Sequence, residues 1–259
     1  MIRTEMRRAF CSRAFLAACI VMLVLLCRDS WFEFEYLSGR GELAEGTWQE
    51  KFLEAAGYGE GHAVFFSFFA VVIPYVLSYR KERDSGYRQL MTLKASGSVY
   101  RRAKLLAVAA SGAGVMCLPL LCWMPVCFLL GTGRTDPHGN NVLNLISDEM
   151  MPLLENRQTL LVFLYIVNIS LVGAIFALFG LGVSAVLRNR YPALLFPFGF
   201  CLLTATIISH WYGSAWNAFI LPMLGFDLMP NRVRIGYLLL LLTLGVGLFI
   251  GGDRHAEKA

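Results

Sequence analysis

The chain alternates long apolar runs with short polar segments, and this pattern predicts several membrane-spanning helices. A hydrocarbon core about 30 Å thick is crossed by a helix of about 20 predominantly apolar residues. Six stretches approach or exceed that length without any Asp, Glu, Lys or Arg, each of which costs about 2.5–3.5 kcal/mol at mid-membrane. The predicted spans are residues 14–27, 62–79, 105–130, 159–187, 192–210 and 235–251.

The segment before the first span has the pattern of an amphipathic helix that lies in the membrane interface. Over residues 2–13, one helical face is apolar and the other carries arginines. The apolar positions are Ile2, Met6, Ala9 and Phe10, and the basic positions are Arg3, Arg7 and Arg8. An alternative is that these residues form the first turns of the first span.

The basic residues divide unevenly between the two sides that six spans would create. Most of the 23 Lys and Arg residues fall in the N-terminus, the second-to-third link, the fourth-to-fifth link and the C-terminal tail. Most of the 18 acidic residues fall in the other connections. Because basic loops stay in the cytoplasm, both termini are predicted to be cytoplasmic. The net charge of +5 is thus a topology signal, and no nucleic-acid partner is predicted.

Composition favours one membrane domain over residues 1–259 and gives no catalytic signal. Hydrophobic residues make up 57% of the chain and charged residues 16%, against about 25% charged in soluble domains. No CxxC, HExxH or GxxxxGK[ST] motif occurs, so no metal, cofactor or nucleotide site is predicted in this chain. We therefore expect a membrane protein that is not itself an enzyme.

The link between the second and third spans carries the most information about function. It is dense in charge, yet Tyr87, Leu90 and Met91 are spaced to lie on one side of a helical turn. Asp84 or Ser85 can cap the start of such a helix. The link therefore predicts a short surface helix, a break and a re-entry helix. A short helix of this kind can dock into a groove on a partner, although its arginines also suit a plain solvated hairpin that only fixes topology.

Several short motifs around this link resemble the permease subunits of ABC transporters of the type-2 exporter kind, and in particular a group of small Gram-positive permeases. In and around the link the resemblance rests on Pro74-Tyr75, Glu82, Ser85-Gly86-Tyr87, Leu90-Met91, Tyr100 and Lys104. After the fourth span it rests on Asn189-Arg190-Tyr191 and Pro197-Phe198. The order of elements agrees along nearly the whole chain. One departure is Thr92-Leu93-Lys94, which stands where such permeases often have an Arg.

The resemblance implies a permease half of an ATP-driven exporter, multi-pass in a bacterial plasma membrane. The link would be a coupling helix that docks on a cytoplasmic ATP-binding cassette subunit, which would bind ATP and Mg²⁺. A second permease chain, identical or different, would complete the pore. The implied docking surface is Glu82, Gly86, Tyr87, Leu90 and Met91 with Arg88 on its rim. Tyr100 and Lys104 would anchor the re-entry helix at the lipid headgroups.

Small residues recur along the predicted spans at spacings that let helices approach closely. The candidate packing positions are Gly112, Gly114, Gly173, Gly180, Gly182, Gly247 and Gly251.

Three other function classes fit parts of the sequence. A membrane anchor or sensor without transport activity fits the topology alone. An ion-coupled transporter would need acidic groups or broken helices within the spans. An intramembrane protease would need Ser184 and His210 together, yet the predicted topology places them on opposite sides of the membrane. Co-purification with an ATPase subunit would distinguish the permease from all three.

Overall fold

The computed structural model describes residues 1–39, 47–53, 56, 62–87, 90–91, 96–130, 150–187, 189–224 and 228–258, and these residues are helical with short turns and no strand. Some described residues carry no side-chain description. The first helices are α1 (Ile2–Phe10), α2 (Arg13–Gly39), α3 (Trp48–Leu53), α4 (His62–Ala70) and α5 (Val76–Asp84). Then follow α6 (Gly97–Leu130), α7 (Met151–Asn156), α8 (Gln158–Val186) and α9 (Arg190–Leu203). The chain ends with a π-helical turn (Thr204–Ile208), α10 (Ser209–Tyr212), 3₁₀ turns (Ser214–Trp216 and Ala218–Ile220) and α11 (Asn231–Lys258).

Four helical stretches are long and apolar enough to cross a membrane. They match four of the predicted spans and cover Gly97–Leu129, Gln158–Val186, Leu194–Tyr212 and Asn231–His255. The pair α1 and α2, bent by 48° between Phe10 and Arg13, qualifies as a fifth if it is counted as one broken span. Over its described residues the chain is therefore all-helical, with four or five candidate membrane-spanning helices, as in a multi-pass membrane protein.

The predicted span over residues 62–79 is divided into α4 and α5 by turns at residues 71–75. The cause is Pro74, which has no backbone N–H and so leaves the carbonyl of Ala70 without its helical donor. The Val71 amide still bonds the Ser67 carbonyl at 2.9 Å, and the chain becomes helical again at Val76. Pro74 thus interrupts the helix completely, and neither half alone meets the length for a span.

The centre of the bundle is α8, which packs against α4, α5, α6, α9 and α11. Glycines set its two closest approaches. A Cβ added at Gly112 of α6 would stand 2.5 Å from the Gly173 carbonyl oxygen, and one at Gly182 would stand 2.3 Å from the Gly245 carbonyl oxygen of α11. Over their most apolar stretches, α8 is 56% buried in the protein and Leu194–Tyr212 only 17%. The α9 span therefore lies at the edge of the bundle.

Two ends of the bundle can be distinguished by their contacts. At the Lys104 end, α1, the end of α5 and the start of α6 share ion pairs, and Arg80 donates to the Leu187 carbonyl after α8. At the Gln158 end, the start of α8 bonds Thr47, just before α3, and Trp48 stacks on Phe128 near the end of α6. One end of the bundle thus brings together four segments that the charge distribution also groups: the N-terminal helix, the second-to-third link, the fourth-to-fifth link and the end of α11.

Near the Gln158 end, the chain between α10 and α11 folds back into the bundle. This folded-back segment, Ala218–Pro222, lies against α8, where the Asn168 amide nitrogen donates to the carbonyls of Leu221 (3.3 Å) and Pro222 (2.9 Å). The Ala218 amide donates to the Thr204 hydroxyl at 3.2 Å. Non-helical backbone is tolerated at membrane depth only where protein groups satisfy it, and these bonds do so.

Candidate functional site

Four ionisable side chains from three helices meet at the Lys104 end. Glu5 and Arg8 come from α1, Glu82 from α5 and Lys104 from α6, and we call these four residues the ion cluster. The Lys104 amine lies 2.9 Å from Glu82 Oε1 and 3.4 Å from Glu5 Oε2. Arg8 Nη1 lies 2.9 Å from Glu82 Oε1 and 3.0 Å from Glu5 Oε1. Each cation therefore bridges both carboxylates.

Tyrosines complete the bonding of both carboxylates. Tyr100 donates its hydroxyl to Glu82 Oε2 at 2.8 Å, and Tyr75 donates to Glu5 Oε2 at 2.5 Å. The Lys104 amine also lies 4.2 Å from the centre of the Tyr75 ring, which is within cation–π range. All four carboxylate oxygens of Glu5 and Glu82 are thus occupied by donors.

Helical spacing explains why these groups converge. Tyr100 and Lys104 are one turn apart on α6, and Glu5 and Arg8 are one turn apart on α1. On the third side, Tyr75 precedes α5 and Glu82 lies near its end. Local sequence therefore prepares two polar groups on each element, and the packing of α1 and α5 against the start of α6 brings them together.

Burial makes the pairing energetically important. The side chains of Glu5 and Lys104 are fully buried and Glu82 is 3% exposed, while Arg8 reaches the surface. With two acids and two bases the cluster is neutral as a group. Removing one member of a buried ion pair leaves an uncompensated charge and costs about 3–5 kcal/mol. The cluster therefore fixes α1, α5 and α6 to one another.

A second set of contacts joins the last helix to the same end. Asp253 of α11 is buried and accepts from the Tyr79 hydroxyl at 2.9 Å and from Arg101 Nη1 at 3.3 Å. Arg80, next to Tyr79 on α5, bonds the Leu187 carbonyl and lies 3.8 Å from Asp84. The base of the second-to-third link is thus attached to α8 and α11 as well.

Beyond this base, the link turns at a glycine. Gly86 has a φ of +70°, a left-handed conformation that glycine adopts without strain. Tyr87, Leu90 and Met91 are helical, and Leu90 is 60% exposed. The Tyr87 ring lies 5.0 Å from the Arg8 guanidinium, which connects the segment to the ion cluster. Arg88 lies outside the described residues.

The structure separates the predicted docking residues into two groups. Gly86, Tyr87, Leu90 and Met91 lie beyond the base of the link, whereas the Glu82 carboxylate is buried in the ion cluster. A buried, fully bonded carboxylate offers no atom to a docking partner. Glu82 therefore positions the link and does not form part of its outer surface.

Tyr100 and Lys104 also differ from the prediction that they reach the lipid headgroups. Both are fully buried and both bond Glu82. The physical reason is that the carboxylates of α1 and α5 lie within reach and satisfy a buried cation and hydroxyl inside the protein.

The sequence did not predict four members of this site: Glu5, Arg8, Tyr75 and Asp253. The available signals were the single acid, Glu5, among the arginines of α1 and the acid at the end of an apolar helix, Asp253. Neither signal identifies a partner, because the cluster joins residues that are far apart in the sequence.

The predicted packing glycines lie in two kinds of surroundings. Five of them have a neighbouring side chain or backbone within about 3.1 Å of an added Cβ: Gly112, Gly114, Gly173, Gly180 and Gly182. At Gly247 and Gly251, an added Cβ would meet nothing within 4 Å among the described residues. The close contacts of α11 lie instead at Gly245 and Gly252.

The chemistry of the site is that of a structural clamp. Over the part of the chain that the structure describes, no group of three His, Cys, Asp or Glu could hold a metal ion. Ser184 donates its hydroxyl to the Leu181 carbonyl of its own helix at 2.7 Å, and His210 lies on α10 at the far end of the α9 span. The groups that converge here bind one another and hold helices.

No family model, curated protein or solved structure matches this chain. The resemblance to ABC transporter permeases therefore rests on the sequence motifs alone.

Proposed function

We propose that this chain is the membrane-spanning permease subunit of an ATP-driven, ABC-type exporter. ATP and Mg²⁺ would bind to a separate cytoplasmic ATP-binding cassette subunit, since the chain has no phosphate-binding loop. The observation that carries the proposal is an exposed apolar side chain, Leu90, set beyond a base that buried charges hold to the bundle.

The surface of the link supports docking on a protein partner. Leu90 projects 60% of its surface after the left-handed turn at Gly86. A short helix that presents an apolar residue inside a charged segment suits insertion into a groove. Tyr87, Leu90 and Met91 would contact the ATPase subunit, with Arg88 at the rim.

The ion cluster gives the link a mechanical connection to the membrane helices. Movement of the docked segment would act on Glu82 through α5, and from Glu82 on α6 through Lys104 and Tyr100. Arg8 and Glu5 would carry α1 along. Rigid-body displacement of packed helices is a common way to convert a local change into a change of access.

Topology supports the same proposal. If α4 and α5 together make one interrupted crossing, the chain has six spans with both termini on the side of the basic link. Positive-inside bias would then put that side in the cytoplasm, and the resemblance implies a bacterial plasma membrane. The α9 span, only 17% buried in the protein, leaves an apolar face on which a second permease chain could pack to complete the pore.

The proposal is tested by purifying the tagged full-length chain from its own membranes and identifying what co-purifies. We expect an ATP-binding cassette subunit with a GxxxxGK[ST] motif. We expect this subunit to be lost from the preparation of Leu90→Asp and to co-purify with Leu90→Met, because only the first change places a charge in an apolar contact. Each variant is first checked for membrane insertion.

Tyr100→Phe separates docking from transmission. It lies outside the docking surface, so the ATPase subunit should still co-purify, while ATP-driven transport in vesicles falls relative to ATP hydrolysis. If no ATPase co-purifies with the unaltered chain, or if Leu90→Asp retains it, the docking assignment is wrong.

A further inference from the structure

A groove on the outer surface between α6 and α8 encloses about 520 Å³ and is separate from the ion cluster. It begins beside the Gly112–Gly173 contact, where the two helices touch, and extends toward the Gln158 end. Its lining includes Cys117, Leu121 and Met124 of α6 and Thr159, Phe163 and Ser170 of α8.

The groove wall offers almost no polar group to a ligand. The Ser170 hydroxyl donates to the Ile166 carbonyl at 2.6 Å, as membrane-embedded hydroxyls commonly do. The Thr159 hydroxyl, at the mouth, accepts from Gln49 at 3.2 Å. An occupant of the interior must therefore be apolar.

The length of the groove fits one leaflet of a bilayer. From Thr159 to Ser170, α8 rises about 16 Å at 1.5 Å per residue. Half of a hydrocarbon core of about 30 Å is about 15 Å. A helix of a second chain would pack along both leaflets, whereas this groove closes at the glycine contact near mid-membrane. The dimensions favour an acyl chain that enters from one interface.

The mouth of the groove carries one exposed cation, Arg157, close to a buried carboxylate, Glu50. Arg157, the residue before α8, is exposed and stands two residues from Thr159. The first amides of a helix have no intrahelical acceptor and add partial positive charge at the same place. The nearby Glu50 carboxylate is buried, with its oxygens bonded to Gln158 at 3.1 Å and to the Thr47 amide at 2.8 Å.

From this combination we propose that the α6–α8 groove binds one anionic phospholipid, with an acyl chain in the groove and the phosphate at Arg157. The apolar interior, the one-leaflet length and the exposed arginine at the mouth together match an amphiphile with a negative headgroup. The site does not depend on the permease assignment, so either proposal can fail alone.

The test uses the full-length chain in mild detergent, with phosphatidylglycerol or phosphatidylcholine added, and native mass spectrometry to count retained lipids. We expect one retained phosphatidylglycerol. Arg157→Gln should weaken phosphatidylglycerol binding about five-fold, which is the effect of one basic residue near a charged membrane surface. Arg232→Gln, which removes an exposed arginine at the start of α11, is the matched control and should not change retention. Equal effects of the two variants would overturn the proposal.

A second experiment locates the bound acyl chain by photocrosslinking, with phosphatidylglycerol that carries a diazirine in its acyl tail. Crosslinks should fall within 117–124 and 159–170. Leu121→Trp, which fills the groove, should remove them, and Leu118→Trp, on an exposed face of α6 outside the lining, should not.

Three outcomes would contradict the proposal that the groove binds a lipid. Crosslinks spread evenly around the bundle would indicate ordinary annular contact. A retained adduct with inorganic phosphate alone would assign the mouth to a free anion. A dimer formed by oxidation through Cys117 would assign the groove to a second copy of this chain.

Discussion

The Lys104 end and the folded-back segment near the Gln158 end solve the problem of buried polar groups in different ways. At the Lys104 end, Glu5, Arg8, Glu82 and Lys104 neutralise one another across three helices. At the folded-back segment, side chains such as Asn168 bind backbone carbonyls. The first arrangement holds whole helices together and the second holds a piece of loop. We therefore expect the helices at the Lys104 end to stay together, whereas the folded-back segment, held by these hydrogen bonds and by the buried side chains of residues 218, 220 and 221, should open more easily.

The largest effect is expected from Lys104→Met. The change leaves Glu5 and Glu82 buried beside one another with only Arg8 to compensate, so the free energy of unfolding should fall by about 3–5 kcal/mol. Equilibrium unfolding in mixed micelles measures it. Lys81→Met, at an exposed position of α5, is the control and should change stability little. The double variant Lys104→Met/Glu82→Gln should recover part of the lost free energy of unfolding, because it removes one of the two uncompensated carboxylates. If the second change lowers the free energy of unfolding further by its own full cost, Glu82 and Lys104 are not paired.

Tyr100→Phe removes a single hydrogen bond to the Glu82 carboxylate without changing packing volume. A hydrogen bond to a charged group is worth about 1.5–3 kcal/mol, and we expect a loss in that range in the same unfolding measurement. Tyr212→Phe removes a hydroxyl from a residue that is 76% exposed and should be neutral. Equal stability of the two variants would show that Tyr100 does not support the cluster.

Gly182→Ala asks whether helix packing as well as charge holds the Lys104 end. The new Cβ would stand 2.3 Å from the Gly245 carbonyl oxygen, so α8 and α11 must separate. Overpacking of this kind costs about 1–3 kcal/mol. The control is Gly247→Ala on α11, where the methyl group meets nothing within 4 Å among the described residues. If Gly182→Ala is as stable as Gly247→Ala, the close approach is not present in the membrane.

Asn168→Leu tests the folded-back segment and should lower the free energy of unfolding less than the other changes do. Interhelical hydrogen bonds in membranes contribute about 0.6 kcal/mol on average and up to about 1.7 kcal/mol. Thr206→Val is the control, because the Thr206 hydroxyl bonds Leu202 of its own helix. Hydrogen exchange at residues 218–222 should rise in Asn168→Leu while exchange at residues 100–104 stays unchanged. A rise at both places would show that the two regions are coupled.

Hydropathy predicted the helices well, because the bilayer imposes a length and an apolar composition that one sequence reveals. Four predicted spans are confirmed as helices long enough to cross. The second span was predicted as one helix over residues 62–79, and Pro74 interrupts it. The extent of a proline break depends on what else satisfies the freed backbone groups.

The ion cluster was beyond sequence reasoning for a different reason. Lys104 looks like a snorkelling residue, because it precedes an apolar stretch. Its actual partners are Glu82, which is 22 positions away, and Glu5, which is 99 positions away. Pairings of that kind are set by how the helices pack, so the link could be recognised as important while the roles of its residues were partly misassigned.

We propose that the segment around Leu90 docks on a separate ATPase subunit. Photocrosslinking tests this contact, with a photoactivatable phenylalanine at Leu90 in the full-length chain in its own membranes and the same probe at Tyr212 as the control at the opposite end of the bundle. We expect a crosslink from position 90 to an ATP-binding cassette subunit and none from position 212. If position 90 crosslinks to lipid alone, or if both positions give an equal yield, the segment does not dock on an ATPase.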